Sequence, residues 1–65
     1  MPLSLQELKL AANLLRSAKT LTENVRELFF GAREVDASAR LSEIVIRLED
    51  EREFVERLAA KKTFS

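Results

Sequence analysis

The side chains that could do chemistry in this chain are carboxylates, amines, guanidinium groups and hydroxyls. Its 65 residues include no histidine, cysteine, tyrosine or tryptophan, and those types supply most general bases, protein nucleophiles and soft metal ligands. A single glycine cannot build a glycine-rich phosphate loop. We therefore expect no enzymatic activity, no cofactor and no small-molecule substrate.

The densest acidic segment could in principle hold a hard cation through carboxylate oxygens. A di-iron bundle, however, needs a histidine three residues after a glutamate, and a calcium loop needs a glycine among alternating oxygen ligands. Neither pattern is present, so we interpret the segment as a solvated helix face and predict no metal site. Its acidic residues are Glu49, Asp50, Glu51, Glu53 and Glu56.

Basic residues of the first half indicate a second possible chemistry, electrostatic binding of nucleic acid. They are Lys9, Arg16, Lys19 and Arg26. In length and two-helix layout the chain resembles the small plasmid copy-number regulators, antiparallel four-helix bundles that bind paired RNA loops through their first helices. The resemblance implies an RNA- or DNA-binding dimer. Against it, eleven basic residues balance eleven acidic ones, and Tyr and Trp are absent for base stacking. Nucleic-acid binding is therefore the alternative function.

A long first helix must position these residues. Ser4 and Glu7 have the spacing of a capping box, which predicts a helix start at residue 5. Apolar residues then recur on the a, d and e positions of a heptad, which is typical of a helix in a bundle, and we expect this stripe to face helix two. The stripe consists of Leu8, Ala11, Leu14, Leu15, Ala18, Leu21, Val25, Leu28 and Phe29. Gly31 follows this run and suits a left-handed cap. We predict helix one over residues 5–30.

A second helix is predicted over residues 37–62, with Asp36 as its N-cap and residues 31–36 as a short turn. Short connections favour antiparallel neighbours. The expected fold is an all-α antiparallel helical hairpin, one domain over residues 1–65. The expected seam of helix two consists of large apolar residues three and four apart, namely Leu41, Ile44, Leu48, Val55 and Leu58.

A hairpin of this size buries little apolar surface, and disulfides or structural zinc cannot compensate without cysteine or histidine. We expect completion to a four-helix bundle, by a homodimer or by another helical protein. Charges interrupt every apolar run, which excludes a membrane span. The N-terminus lacks the basic-then-apolar plan of a secretory signal, so a cytoplasmic location is expected.

Five large apolar residues fall outside the predicted seam and are candidates for partner contacts. Val45 and Leu10 could widen a four-helix core, while Ile46 and Phe54 could contact another chain. Phe30 could do the same or pack over the turn. The set is Leu10, Phe30, Val45, Ile46 and Phe54.

Glu51 and Arg52 interrupt the apolar pattern midway along helix two. Charges in a helical seam can set register or partner choice, as polar residues do in coiled coils. Alternatively, both side chains extend to water along their aliphatic stems. The first interpretation makes them interface-specifying residues.

These features together predict a protein-protein interaction module, acting as an adaptor, chaperone-like subunit or assembly factor. In size and layout the chain is similar to small hairpin co-chaperones of bacterial type III secretion. That likeness implies a helical protein, or a second copy, as the partner. Fold likeness alone carries little information on function.

Overall fold

The computed structural model describes the backbone of residues 2–64 and the side chains of residues 2–63. Two helices, α1 (Leu5–Gly31) and α2 (Val35–Phe64), pack along each other as a hairpin. No strand occurs within the described residues. The predicted all-α hairpin is confirmed. Of the domain predicted over residues 1–65, residues 1 and 65 lie outside the description.

The start of α1 follows from local hydrogen bonding. The Ser4 backbone N–H donates to Glu7 Oε1 at 3.0 Å, and the Glu7 N–H donates to Ser4 Oγ at 3.1 Å. Both bonds satisfy donors that a helix N-terminus otherwise leaves free. The same bonds from Ser4 hold the pKa of Glu7 below its ordinary value. The predicted capping box is confirmed.

The turn is built around Arg33 and not around Gly31. Arg33 has φ 63°, whereas Gly31 is the last residue of α1 and no glycine has a positive φ. The Glu34 N–H donates to the Phe29 carbonyl at 2.9 Å, and the Arg33 N–H donates to the Phe30 carbonyl at 3.0 Å. This pair of bonds is a Schellman motif with Arg33 in its left-handed position. The predicted left-handed Gly31 was therefore wrong by two residues.

The turn geometry predicts that Gly31→Ala and Arg33→Gly both stabilise the hairpin, each by about 0.5–1 kcal/mol. Alanine at position 31 keeps the helical backbone, and a Cβ there meets no atom within 4 Å. Glycine at position 33 removes the steric cost of a positive φ. Urea titrations followed by circular dichroism measure both effects. Arg33→Ala is the matched control and should leave stability unchanged, because alanine has the same difficulty with that φ. If Gly31→Ala destabilises the hairpin, the assignment of a helical backbone to Gly31 is contradicted.

Helix α2 begins at Val35, so the predicted N-cap Asp36 lies within its first turn. There its carboxylate still suits the positive end of the helix dipole. The helix also continues past the predicted end at residue 62, through Phe64. Lys61 and Lys62 in the last turn favour this extension, and no Gly or Pro interrupts it.

The seam between the helices differs from the predicted one by a rotation of α2. Among the described side chains, three apolar ones are buried: Leu8 and Ala12 on α1, and Val45 on α2. Ser38 is also buried. On α2 the covered positions repeat at heptad spacing as Ser38, Leu41, Val45, Leu48, Arg52 and Val55.

Three predictions change with this rotation. Val45, predicted to lie outside the hairpin seam, is only 8% exposed and belongs to the core. Ile44, predicted in the seam, is exposed. Glu51 is also exposed and does not interrupt the seam, whereas Arg52 lies within it. Small residues such as Ser38 and Ala12 allow the helices to approach closely along this line.

Candidate interaction surface

Helix α1 carries two stripes at heptad spacing, and α2 covers only one of them. We call the covered one the inner stripe; it is apolar near the N-terminus and polar towards the turn. We call the other the open stripe; every one of its residues is apolar. The inner stripe is Leu8, Ala12, Leu15, Lys19, Thr22 and Arg26, and the open stripe is Ala11, Leu14, Ala18, Leu21, Val25 and Leu28.

The leucines of the open stripe are largely in contact with solvent. Leu14, Leu21 and Leu28 are 60%, 65% and 75% exposed. Ala11 and Ala18 are partly covered because they lie on the border with the inner stripe. Single exposed apolar residues are ordinary on a protein surface, but an uninterrupted heptad run of them is typical of a helix interface.

Helix α2 extends the open stripe across the same side of the hairpin. Phe29 of α1 lines a shallow surface cleft together with Leu41 and Ile44 of α2, and the charged residues Glu34, Asp36 and Arg40 lie at its edge near the turn. From Ile44, this side of α2 continues at heptad spacing to the exposed Glu51, beside the partly covered Leu48 and Val55 of the seam. This side of the hairpin is therefore mostly apolar, and we call it the apolar face.

The opposite side is held by ion pairs that cross between the helices. Lys19 Nζ lies 2.8 Å from Glu49 Oε2, and Arg16 Nη2 lies 3.6 Å from Glu56 Oε1. Arg52 joins these contacts, because its guanidinium donates to Glu49 and, at 2.8 Å, to Glu56 Oε1. These five residues form what we call the ion-pair ladder. The ladder joins α2 to the more polar stripe of α1.

The ladder changes the acidity of its central carboxylate. Hydrogen bonds from Arg52, and next from Lys19, lower the pKa of Glu49 from 4.5 to about 2. The same bond to Glu49 raises the pKa of Arg52. Both shifts favour the charged forms of Glu49 and Arg52.

Because Glu49 is more acidic in the fold than in the unfolded chain, its contribution to stability is present above about pH 4.5 and is lost as pH falls towards 2. We expect the urea midpoint of unfolding to decrease across that window. Glu49→Gln should flatten the decrease, while Glu51→Gln, at an exposed neighbour, should retain it. Equal pH profiles for Glu49→Gln and the parent protein would contradict the ladder.

The structure does not bring the predicted partner-contact residues into one patch. Leu10 lies beside the open stripe, whereas Phe30 lines a cleft at the turn with Val35 and Arg33. Ile46 and Phe54 are both exposed, but they lie eight residues apart, about 12 Å along α2. Val45 is buried and cannot contact a partner in this arrangement.

The predicted nucleic-acid residues are partly engaged within the hairpin. Lys19 and Arg16 pair with carboxylates of α2 through the ladder. Arg26 lines a cleft with Ser38 and Ser42, and Lys9 is exposed. The row of four cations along α1 is therefore not a continuous positive surface. For the acidic segment, no group of three or more side chains in the described residues is arranged to hold a metal ion.

The residues missed by the sequence argument are those of the open stripe. Their spacing was recognised, but it was assigned to the contact with α2. The two stripes differ in charge complementarity to α2, because Lys19 pairs with Glu49 and Arg16 pairs with Glu56 across the helices. The spacing of apolar residues does not contain that information.

Neither helix, over the part of the chain that the structure describes, is long and apolar enough to cross a membrane. Comparison with models of protein families, with curated proteins and with solved structures finds no match for this chain.

Proposed function

We propose that this chain is a non-enzymatic protein-protein interaction module, of the adaptor, chaperone-like or assembly-factor kind, that works through its apolar face. The observation that supports this proposal is the open stripe of α1. Its residues have the spacing and composition of a helix seam, yet its three leucines are largely exposed in the hairpin.

The energetics of the hairpin favour the same function. No described side chain is fully buried, and the seam that the two helices share contains charged residues. A chain near the lower size limit for independent folding gains stability when a partner removes apolar surface from water. On this proposal, a partner that covers the apolar face would also stabilise the fold of the hairpin.

A photo-reactive residue introduced at Leu21 tests this proposal. In cells that produce the protein, illumination should yield adducts with another polypeptide chain, whether a second copy or a different protein. The matched control is Thr20, the exposed neighbour on another side of α1. Adducts should form at Leu21 and not at Thr20. In a lysate, their yield should not decrease when salt is raised before illumination, because apolar contacts are not screened. Equal labelling at both positions, or none at Leu21, would overturn the proposal.

A further inference from the structure

Small and large residues alternate along the open stripe, and this alternation restricts which surface can pack against it. Small residues occupy one heptad position, Ala11, Ala18 and Val25, while the other position always carries leucine. The small residues precede each leucine by three positions along the helix. A surface with this alternation fits best against one that presents the opposite order.

The same stripe running in the opposite direction presents that order. With a two-fold axis passing between Ala18 and Leu21, each small residue meets a large one of the other copy. Ala18 then lies opposite Leu21, Val25 opposite Leu14, and Ala11 opposite Leu28. In a parallel pair, by contrast, leucine would meet leucine and alanine would meet alanine, which leaves alternating crowded and empty layers.

We infer that a second copy of this chain covers the open stripe, with the two α1 helices antiparallel across a two-fold axis. This inference rests on the proposed function and specifies its partner. The interface is isologous, so each copy uses the same residues. The apolar face of α2 lies on the same side, so the product is a four-helix bundle.

The positions that flank the open stripe on the side away from α2 carry no charge. They are Leu10, Ser17, Asn24 and Gly31. In the antiparallel pair Ser17 lies beside Asn24 of the second copy, so neither repulsion nor a buried charge opposes close approach along this flank of α1. A partner that is selected by charge would need complementary charges at these positions, as the e and g positions of coiled coils provide.

The surface area agrees with a second copy of this size. The hairpin exposes 5332 Å², whereas a compact monomer of 7.4 kDa is expected to expose about 4,200 Å². The excess, about 1,100 Å², exceeds the roughly 800 Å² that each partner contributes to a standard interface. Its elongated shape, 49 × 18 × 14 Å, gives a long flat face for the contact.

Spin-label distances test the inference directly, because the chain contains no cysteine that would compete with an introduced one. Ser17→Cys and Leu10→Cys place labels on the same flank of α1. Across the proposed axis, two labels at position 17 are offset by about 8 Å along the helices, and two labels at position 10 by about 28 Å, at 1.5 Å rise per residue. Light scattering on the same samples should give twice the monomer mass.

We expect strong dipolar broadening for Ser17→Cys and a distance near 30 Å for Leu10→Cys, because the lateral spacing of packed helices adds about 10 Å. Equal short distances at both positions would indicate a parallel pair and overturn the inference. A monomeric mass without dipolar coupling would also overturn it. In that case, adducts from Leu21 with a different protein would preserve the proposed function, and their absence would remove both.

Discussion

Val45→Asp is expected to abolish cooperative folding of the hairpin, whereas Ile46→Asp, one residue further along α2, is expected to leave it folded. Val45 is buried between the helices, while Ile46 is 63% exposed. An unpaired charge in a buried position costs at least about 3 kcal/mol. That cost is comparable with the total stability of a domain this small, which is roughly 3–5 kcal/mol.

Circular dichroism at increasing temperature is sufficient to distinguish the two variants. Val45→Asp should show reduced helicity and no sigmoidal transition, and Ile46→Asp should melt close to the parent protein. The comparison is stringent because both residues are β-branched aliphatic side chains, receive the same charge and lie outside the seam that apolar spacing predicts. If Ile46→Asp unfolds the hairpin and Val45→Asp does not, α2 is rotated relative to the arrangement described here.

Reversing the charge at position 52 is expected to destabilise the hairpin strongly at neutral pH and to invert its response to acid. Arg52→Glu would place three carboxylates along the ladder, at positions 49, 52 and 56, without the guanidinium that now donates to two of them. Like charges at three- and four-residue spacing repel, and the cross-helix contacts of Lys19 and Arg16 cannot balance all three.

Protonation relieves such repulsion, so this variant should gain stability as pH decreases from 7 to about 4.5, where carboxylates begin to protonate. The parent protein should lose stability below that range. Glu51→Arg is the matched control, an adjacent charge reversal at an exposed position outside the ladder, and should leave folding of the hairpin unaltered. Urea midpoints at several pH values provide the measurement. If Glu51→Arg destabilises the hairpin as much as Arg52→Glu does, the claim that only Arg52 belongs to the ion-pair ladder is contradicted.

The different environments of Glu51 and Arg52 also revise the hypothesis that the two residues together specify an interface. Arg52 is committed to the hairpin through Glu49 and Glu56. Glu51, in contrast, is exposed on the apolar side of α2, one turn from Leu48 and two turns from Ile44. A role in specifying an interface therefore stays a prediction for Glu51.

The helices were predictable because their determinants are local. The capping box of Ser4 and Glu7 acts within one turn, and the apolar periodicity of both segments needs no knowledge of tertiary contacts. The hairpin follows from the short connection. The position of the left-handed residue was not predictable in the same way. Residue preference favours the nearby glycine, whereas the two backbone hydrogen bonds that end α1 place Arg33 at the left-handed position.

Rotation of α2 about its axis was the larger error, and its cause is physical. Two seams were available on each helix, and apolar content favours the one with Ile44 and Leu14. The folded hairpin keeps Leu41, Leu48 and Val55 of the predicted seam but replaces Ile44 by Val45, on the side where Lys19 meets Glu49. The open stripe of α1, which apolar spacing had assigned to the contact with α2, therefore remains largely exposed.

Folding of the hairpin must bring its two ends together. Leu8 and Leu58 share a cleft although fifty positions separate them, so their association closes nearly the whole chain as a loop. The buried Ser38 lies close to the turn, where contacts close a much shorter loop. We therefore expect the ends of the hairpin to pair later in folding than the segments beside the turn.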